Sequence, residues 1–174
     1  MENNFREFIK DKKIFVTGGT GSIGRVLVRE LLNYKPKVVR IFSRDAAKQI
    51  EFQNELKHDK RARFILGDIK DSDRLLMACE DVDVIFHAAA FKHVPQGEYN
   101  PFEVVQTNVT GTQNLISAAL KTPSVTHFVM ISTDKAVNPT SVMGATKRVA
   151  ELYVQLKNSE RSTLFSLVRF GNVL

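Results

Sequence analysis

Thr133, Asp134 and Lys135 follow one another in the chain and put a hydroxyl, a carboxyl and an amine side by side. Groups of these types can orient a substrate alcohol, give up a proton and take one up, which is general acid–base chemistry. A lysine does so near neutral pH only where burial or nearby positive charge disfavours its charged form. Further on, Met143 stands four residues before Lys147 in a stretch of helical spacing, so both face the same way. A phenol at that spacing could relay a proton, and the Met143 thioether cannot. An alcohol oxidised beside it must lose its proton to Asp134, to Lys135 or to a water held by Lys147, and the sequence leaves the three open. "YVQLK", Tyr153 to Lys157, repeats the tyrosine–lysine spacing. Tyr153 lies ten residues past Met143, roughly 15 Å along the same helix and roughly 80° round it. It is a decoy.

These side chains need a scaffold, and the apolar pattern supplies one. "KIFVTG" (13–18), "PKVVRIFSR" (36–44), "ARFILGDI" (62–69), "VDVIFHAAA" (82–90), "THFVMIST" (126–133) and "TLFSLVRF" (163–170) read as six strands. Helical spacing separates them: "GSIGRVLVRELLNY" after the first, and "DAAKQIEFQNELKHD" after the second with Asp45 at its start. "SDRLLMACED" follows with Ser72 as N-cap, then one long helix over 99–121 with Pro101 in its first turn, and last a helix over 142–157. Near-continuous apolar strands alternating with helices predict an α/β, doubly wound parallel sheet, with residues 1–174 forming one domain. The N-terminal "MENNFREFIKDKK" lacks the apolar run of a signal peptide.

"TGGTGSIG" closes the first strand and opens a helix, with Gly18, Gly21 and Gly24 in the G-x-G-x-x-G spacing. In that setting the glycines permit a tight turn, close backbone approach to a pyrophosphate and close helix–strand packing. The helix N-terminus then offers N–H groups to the phosphates. The sequence thus predicts a Rossmann fold that binds a dinucleotide. An acid that grips the ribose 2′-hydroxyl is expected at the end of the second strand. This chain has Ser43 and Arg44 there, and Asp45 one step late, where it can cap the next helix. Arginine pairs with a 2′-phosphate, so NADP is expected over NAD. Asp68 and Ile69 after the third strand could hold an adenine edge, and the small Ala88, Ala89 and Ala90 after the fourth let a ligand lie close.

Lys+Arg exceed Asp+Glu by 25 to 19, and these charges are scattered without interleaved aromatics, so no nucleic-acid partner is expected. Cys79 is the only cysteine, which excludes an intramolecular disulfide and a cysteine-based zinc site and suits a reducing, cytoplasmic setting; no metal is expected. No apolar run approaches the roughly 18 residues of a membrane span.

In order along almost the whole chain, "TGGTGSIG", "SRD", "GDI", "HAAAFKHVP", "TNVTGTQN", "STDKAVNPTSVMGATKRVAE" and "VRFGNV" resemble the extended short-chain dehydrogenase/reductase family. The likeness is nearest to the CapD-like nucleotide-sugar 4,6-dehydratases of bacterial polysaccharide biosynthesis that act on UDP-N-acetylglucosamine, a subgroup in which methionine commonly replaces the tyrosine. The resemblance implies oxidation of the sugar at C4, loss of water across C5 and C6, and return of hydride to C6. It implies Asp134 as the acid for the C6 hydroxyl, Lys135 as the base at C5, and Thr133 on the 4-hydroxyl. Lys147 holds the nicotinamide ribose, Met143 occupies the tyrosine position, and Asn108 has a structural and proton-relay place. Cofactor contacts are expected from Gly18, Thr20, Gly21, Ser22, Ile23, Gly24, Ser43, Arg44, Asp68, Ile69, Ala88, Ala89, Ala90, Lys92 and Lys147. His93 shapes the loop near the nicotinamide, and His87 reads as a satisfied buried histidine.

Extended members continue well past residue 174 and complete the sugar pocket there. Residues 1–174 are therefore expected to be the N-terminal portion of a longer enzyme, binding cofactor without efficient turnover. Homo-oligomers paired through the two long helices are expected. A 4-epimerase or reductase on the same scaffold and a non-catalytic NADP-binding module are the alternatives.

Overall fold

The computed structural model describes residues 2–158 and 163–171. Asn172 and Val173 of the "VRFGNV" motif lie outside them. A helix not expected from the sequence, α1 (Glu2–Ile9), precedes β1 (Lys13–Thr17) and α2 (Ser22–Asn33). The order continues with β2 (Val38–Ser43), α3 (Ala46–Glu55), β3 (Ala62–Leu66), α4 (Ser72–Cys79), β4 (Val84–His87), α5 (Val94–Tyr99) and α6 (Pro101–Val105). It ends with α7 (Gly111–Lys121), β5 (His127–Thr133), α8 (Val142–Lys157) and β6 (Leu164–Phe170).

The six strands form one parallel sheet in the order β3-β2-β1-β4-β5-β6. The strand order reverses between β1 and β4, and in open α/β sheets ligands bind outside the carboxyl ends of the strands at such a point. Successive side chains of β1 feed opposite faces, as a strand's period of two requires. Ile14 and Val16 join Val28 and Leu31 in one buried layer, while Phe15 packs with Phe42, Leu75 and Leu115 in the other. Burial of these side chains, at roughly 1.5–3 kcal/mol each, holds the strand ends in place.

Two expectations about helices need correction. Residues 99–121 are not one helix. Asn100 sits at φ −131° and ψ 55°, outside the helical region, and Pro101 has no N–H to continue the α5 ladder. A π-turn over Gln106–Thr110 then joins α6 to α7. The N-cap of α4 is Asp71, whose carboxylate accepts the Arg74 N–H, rather than Ser72. Aspartate and serine cap equally well, so pattern alone placed the start one residue late.

Candidate active site

The carboxyl ends of the strands surround a cleft of about 610 Å³. The glycine loop forms its floor. Gly18 has φ +66°, and a Cβ there would lie 2.6 Å from the Ala89 nitrogen, so the β1 turn and the β4 loop touch through bare backbone. At Gly24 a Cβ would run into the Gly18 carbonyl oxygen, so α2 can approach the loop only without a side chain. Gly21 occupies the N-cap of α2 with no side-chain capping bond, leaving the first-turn N–H groups to whatever enters the cleft.

Ser43 and Arg44 form the next wall. Asp45 lines the cleft as well, with its Oδ1 capping α3 by accepting the Lys48 N–H at 3.0 Å. The Arg44 guanidinium stands 4.0 Å from Asp68 and stays largely exposed. Every residue expected to touch a cofactor, from Gly18 round to Lys92 and Lys147, lines this one cleft. Thr107, from the π-turn, also lines it, and its buried hydroxyl has no hydrogen-bond partner. Buried polar atoms are normally paired, so a cradle of bare backbone beside an unpartnered hydroxyl suits a polar ligand such as a dinucleotide.

The chemistry-bearing residues gather at the opposite end. Thr133, Lys135, Met143 and Lys147 line the cleft there, whereas Asp134 and Asn108 do not. A 3₁₀ turn, Asp134–Ala136, follows β5 directly. The Thr133 hydroxyl donates to Asp134 Oδ1 at 2.9 Å and accepts the Lys135 N–H at 3.3 Å. Lys135 Nζ stands 3.5 Å from the same carboxylate, with both side chains about half exposed. The Thr133 hydrogen bond is the largest cause that holds the Asp134 carboxyl below its ordinary range; desolvation opposes it, and the nearby Lys135 amine adds to it. α8 lies hard against this turn. A Cβ on Gly144 would strike the Lys135 carbonyl oxygen, so Met143 and the turn are brought together by a bare position in the helix.

Lys147 is buried and donates to the Ile131 carbonyl oxygen at 2.7 Å. Burial lowers its amine to about 8, with the Glu151 charge working the other way. His87, on β4, is buried and fully satisfied. The Thr112 hydroxyl proton is committed to the Asn108 carbonyl oxygen at 2.6 Å, so His87 Nε2 donates to Thr112 at 2.9 Å and Nδ1 accepts from Thr17 at 2.8 Å. Desolvation, then the Lys147 charge, pushes the imidazole down to about 3, so it stays neutral. Asn108 acts as a brace: Oδ1 accepts the Phe91 N–H at 2.7 Å, while Nδ2 reaches the Phe91 carbonyl oxygen and the Thr146 hydroxyl. His93 is exposed at the N-cap of α5 and lines the cleft. Tyr153 packs beside the core with Lys157 over its ring, away from the cleft.

One group escaped the sequence reading. Glu151 is fully buried one turn beyond Lys147, and its carboxylate takes bonds from Ser132, Arg148 and Arg169. The spacing Lys147-x-x-x-Glu151 was visible, but the arginine that neutralises it comes from a strand 18 residues away.

Comparison with known proteins gives this geometry a lineage. A protein of Methanocaldococcus jannaschii named "Uncharacterized membrane protein MJ1061" is 53% identical over 177 residues, covering 100% of this chain and 53% of its own length. A Campylobacter jejuni protein named "UDP-N-acetylglucosamine 4,6-dehydratase (inverting)" is 44% identical over 167 residues, covering 94% and 49%. A Rickettsia typhi protein named "UDP-glucose 4-epimerase" is 40% identical over 171 residues, covering 94% and 50%. Among solved structures, a double mutant of DesIV, a dTDP-glucose 4,6-dehydratase from Streptomyces venezuelae, with NAD and DAU bound, superposes with a TM-score of 0.82 at 27% identity, covering 90% and 54%. The chain spans about half the length of these relatives. The family described as "Polysaccharide biosynthesis protein" matches residues 14–174. With its parallel six-stranded sheet, glycine-lined cleft and nucleotide-sugar dehydratase and epimerase relatives, the chain belongs to this polysaccharide biosynthesis protein family.

Proposed function

We propose that the chain is the N-terminal, cofactor-binding portion of an NADP-dependent UDP-N-acetylglucosamine 4,6-dehydratase. The observation that carries this reading is the meeting of Thr133, Lys135, Met143 and Lys147 in the wall of the cleft floored by the glycine loop, with Asp134 bonded to the first two. An acid and a base side by side are what water elimination needs, and an epimerase has no use for the pair.

A bound nicotinamide would supply reversible hydride acceptance, and the residues of this chain do the rest. Gly18, Gly21 and Gly24 with the first turn of α2 hold the pyrophosphate. Lys147 holds the ribose and adds positive charge. Thr133 meets the 4-hydroxyl, Lys135 removes the C5 proton once bound sugar covers its half-exposed amine, and Asp134 protonates the departing 6-hydroxyl. The Thr133 hydroxyl now donates to Asp134. Turning it to the sugar removes the largest cause that holds the Asp134 pKa down, and so prepares the carboxyl to carry a proton. Met143 leaves the 4-hydroxyl proton to Asp134, Lys135 or a water on Lys147.

Arg44 supports NADP, because it stands where the acid for a 2′-hydroxyl is expected, and Asp45, one position later, spends one carboxylate oxygen as a helix cap. The DesIV structure with NAD sets the opposing expectation. An apolar stripe of Val149, Leu152 and Leu156 exposed on α8, with Tyr99 and Phe102 exposed on the α5 and α6 helices that pack against α8, suits pairing with a second copy. Cys79, whose thiol burial pushes up to about 12, is inert and fits the cytoplasm.

A 4-epimerase is the second reading, favoured by the rickettsial relative. Mass spectrometry of UDP-N-acetylglucosamine incubated with the full-length protein separates the cases. Loss of one water supports the dehydratase, a chromatographically distinct product of equal mass an epimerase, and unchanged sugar a binding module. The 174-residue piece by itself should bind cofactor and turn over poorly.

A further inference from the structure

Glu151 does not itself line the cleft, yet it is buried, satisfied from three elements and bonded to Ser132, which does. Oε1 accepts from Ser132 Oγ at 2.6 Å and from Arg169 Nε at 2.9 Å; Oε2 accepts from Arg169 Nη2 at 2.7 Å and Arg148 Nη1 at 3.2 Å. The Arg169 contact is a two-pronged fork, the geometry that fixes orientation as well as distance. Ser132 and Arg169 are paired across β5 and β6, so one carboxylate grips both strands at the same rung. Ser132 directly precedes Thr133, and Phe170, which directly follows Arg169, lines the cleft. One turn back along α8, Lys147 binds the Ile131 carbonyl oxygen. Two successive rungs of β5 are thus tied to two successive turns of α8.

We propose that Glu151 is a positioning residue for the proposed dehydratase site, locking the β5–β6 edge to α8 so that Lys147 and Thr133 face the nicotinamide end of the cleft together. The inference rests on the cofactor-binding reading but not on the identity of the sugar. The carboxylate also counts electrostatically. The titratable groups that bear on Lys147 are Glu151 on its own helix and His87 from β4, with Arg148 and Arg169 drawn to the same carboxylate. A buried carboxylate with one partner removed is strongly destabilising, whereas an amide keeps the shape and part of the bonding.

The test compares Glu151→Gln with wild type in two measurements that need no turnover. Calorimetric titration with NADP and with adenosine 2′,5′-bisphosphate, which lacks the nicotinamide half, reads positioning. NADP binding should weaken about tenfold, while the bisphosphate changes less than twofold. The Lys147 titration, followed by NMR of 13C-methylated lysines, should move to lower pH. Equal loss of both ligands, or no change in NADP affinity, would overturn the proposal. Should the wild type bind neither ligand, the cofactor reading fails, and the Lys147 titration alone decides for or against Glu151. If Glu151→Gln does not fold, Arg169→Lys keeps both charges, loosens only the fork, and carries the same NADP-against-bisphosphate comparison.

Discussion

Lys147 passes beneath the end of β5 and donates to the Ile131 carbonyl oxygen at 2.7 Å, so the amine enters the cleft held by the strand that ends in Thr133. Burial brings it down to about 8. An unfolded lysine keeps its proton up to its ordinary value near 10.5, so between pH 8 and 10.5 the unfolded chain binds more protons than the folded one. Stability contributed through Lys147 therefore rises across that window. Urea unfolding from pH 8 to 10 should show this rise in wild type and lose it in Lys147→Met; an unchanged slope in the variant would refute the assignment.

His87 governs the acid side. Its imidazole titrates near 3 in the fold and near 6.5 when unfolded, so stability falls as pH drops from 6.5 towards 3. Glu151, held down at about 2, adds a loss that begins lower, below about 4.5. Its desolvation is outweighed by bonds from Arg169, Ser132 and Arg148. Replacing His87 by Gln should flatten the decline between pH 6.5 and 4.5, on the order of 1.4 kcal/mol per pH unit, and leave the steeper loss below it. Thermal melts across pH 4 to 7 check this.

The glycine loop is a structural constraint and, on the proposed reading, the seat of the pyrophosphate. Gly18→Ala places a side chain at positive φ and into the Ala89 backbone, which should cost at least about 1–2 kcal/mol in strain alone. Gly24→Ala pushes α2 off the Gly18 carbonyl, and dinucleotide affinity should fall at least tenfold. Affinity within twofold of wild type would mean the pyrophosphate lies elsewhere.

On the proposed reading, cofactor choice turns on Arg44. Arg44→Ala should weaken NADP by about tenfold, the value of a charge-assisted pair of about 1.4 kcal/mol, and leave NAD within twofold. Tighter binding of NAD than NADP by the wild type would end the NADP assignment.

Most of this architecture was legible before any coordinates. The strands announce themselves because burial on both faces demands apolar runs, and Gly18, Gly21 and Gly24 because one backbone geometry demands glycine. The break at Asn100 and the π-turn over 106–110 were hidden, since each residue there tolerates a helix and only Pro101 hinted otherwise. The Asn108 brace and the Glu151–Arg169 fork were equally hidden. Their partners lie 17 and 18 residues away in sequence and meet only once the sheet is built. The adjacent Asp134 and Lys135 were visible as a pair, but not that Thr133 already holds the carboxylate.

The decisive measurement is mass spectrometry of UDP-N-acetylglucosamine after incubation in D2O with the full-length protein, wild type and Lys135→Ala. Removal and return of the C5 proton predicts a wild-type product lighter by one water that has gained one deuterium on carbon, and no such product from the variant. Recovery of the sugar only at unchanged mass and without deuterium, or water loss that survives Lys135→Ala, would contradict the account.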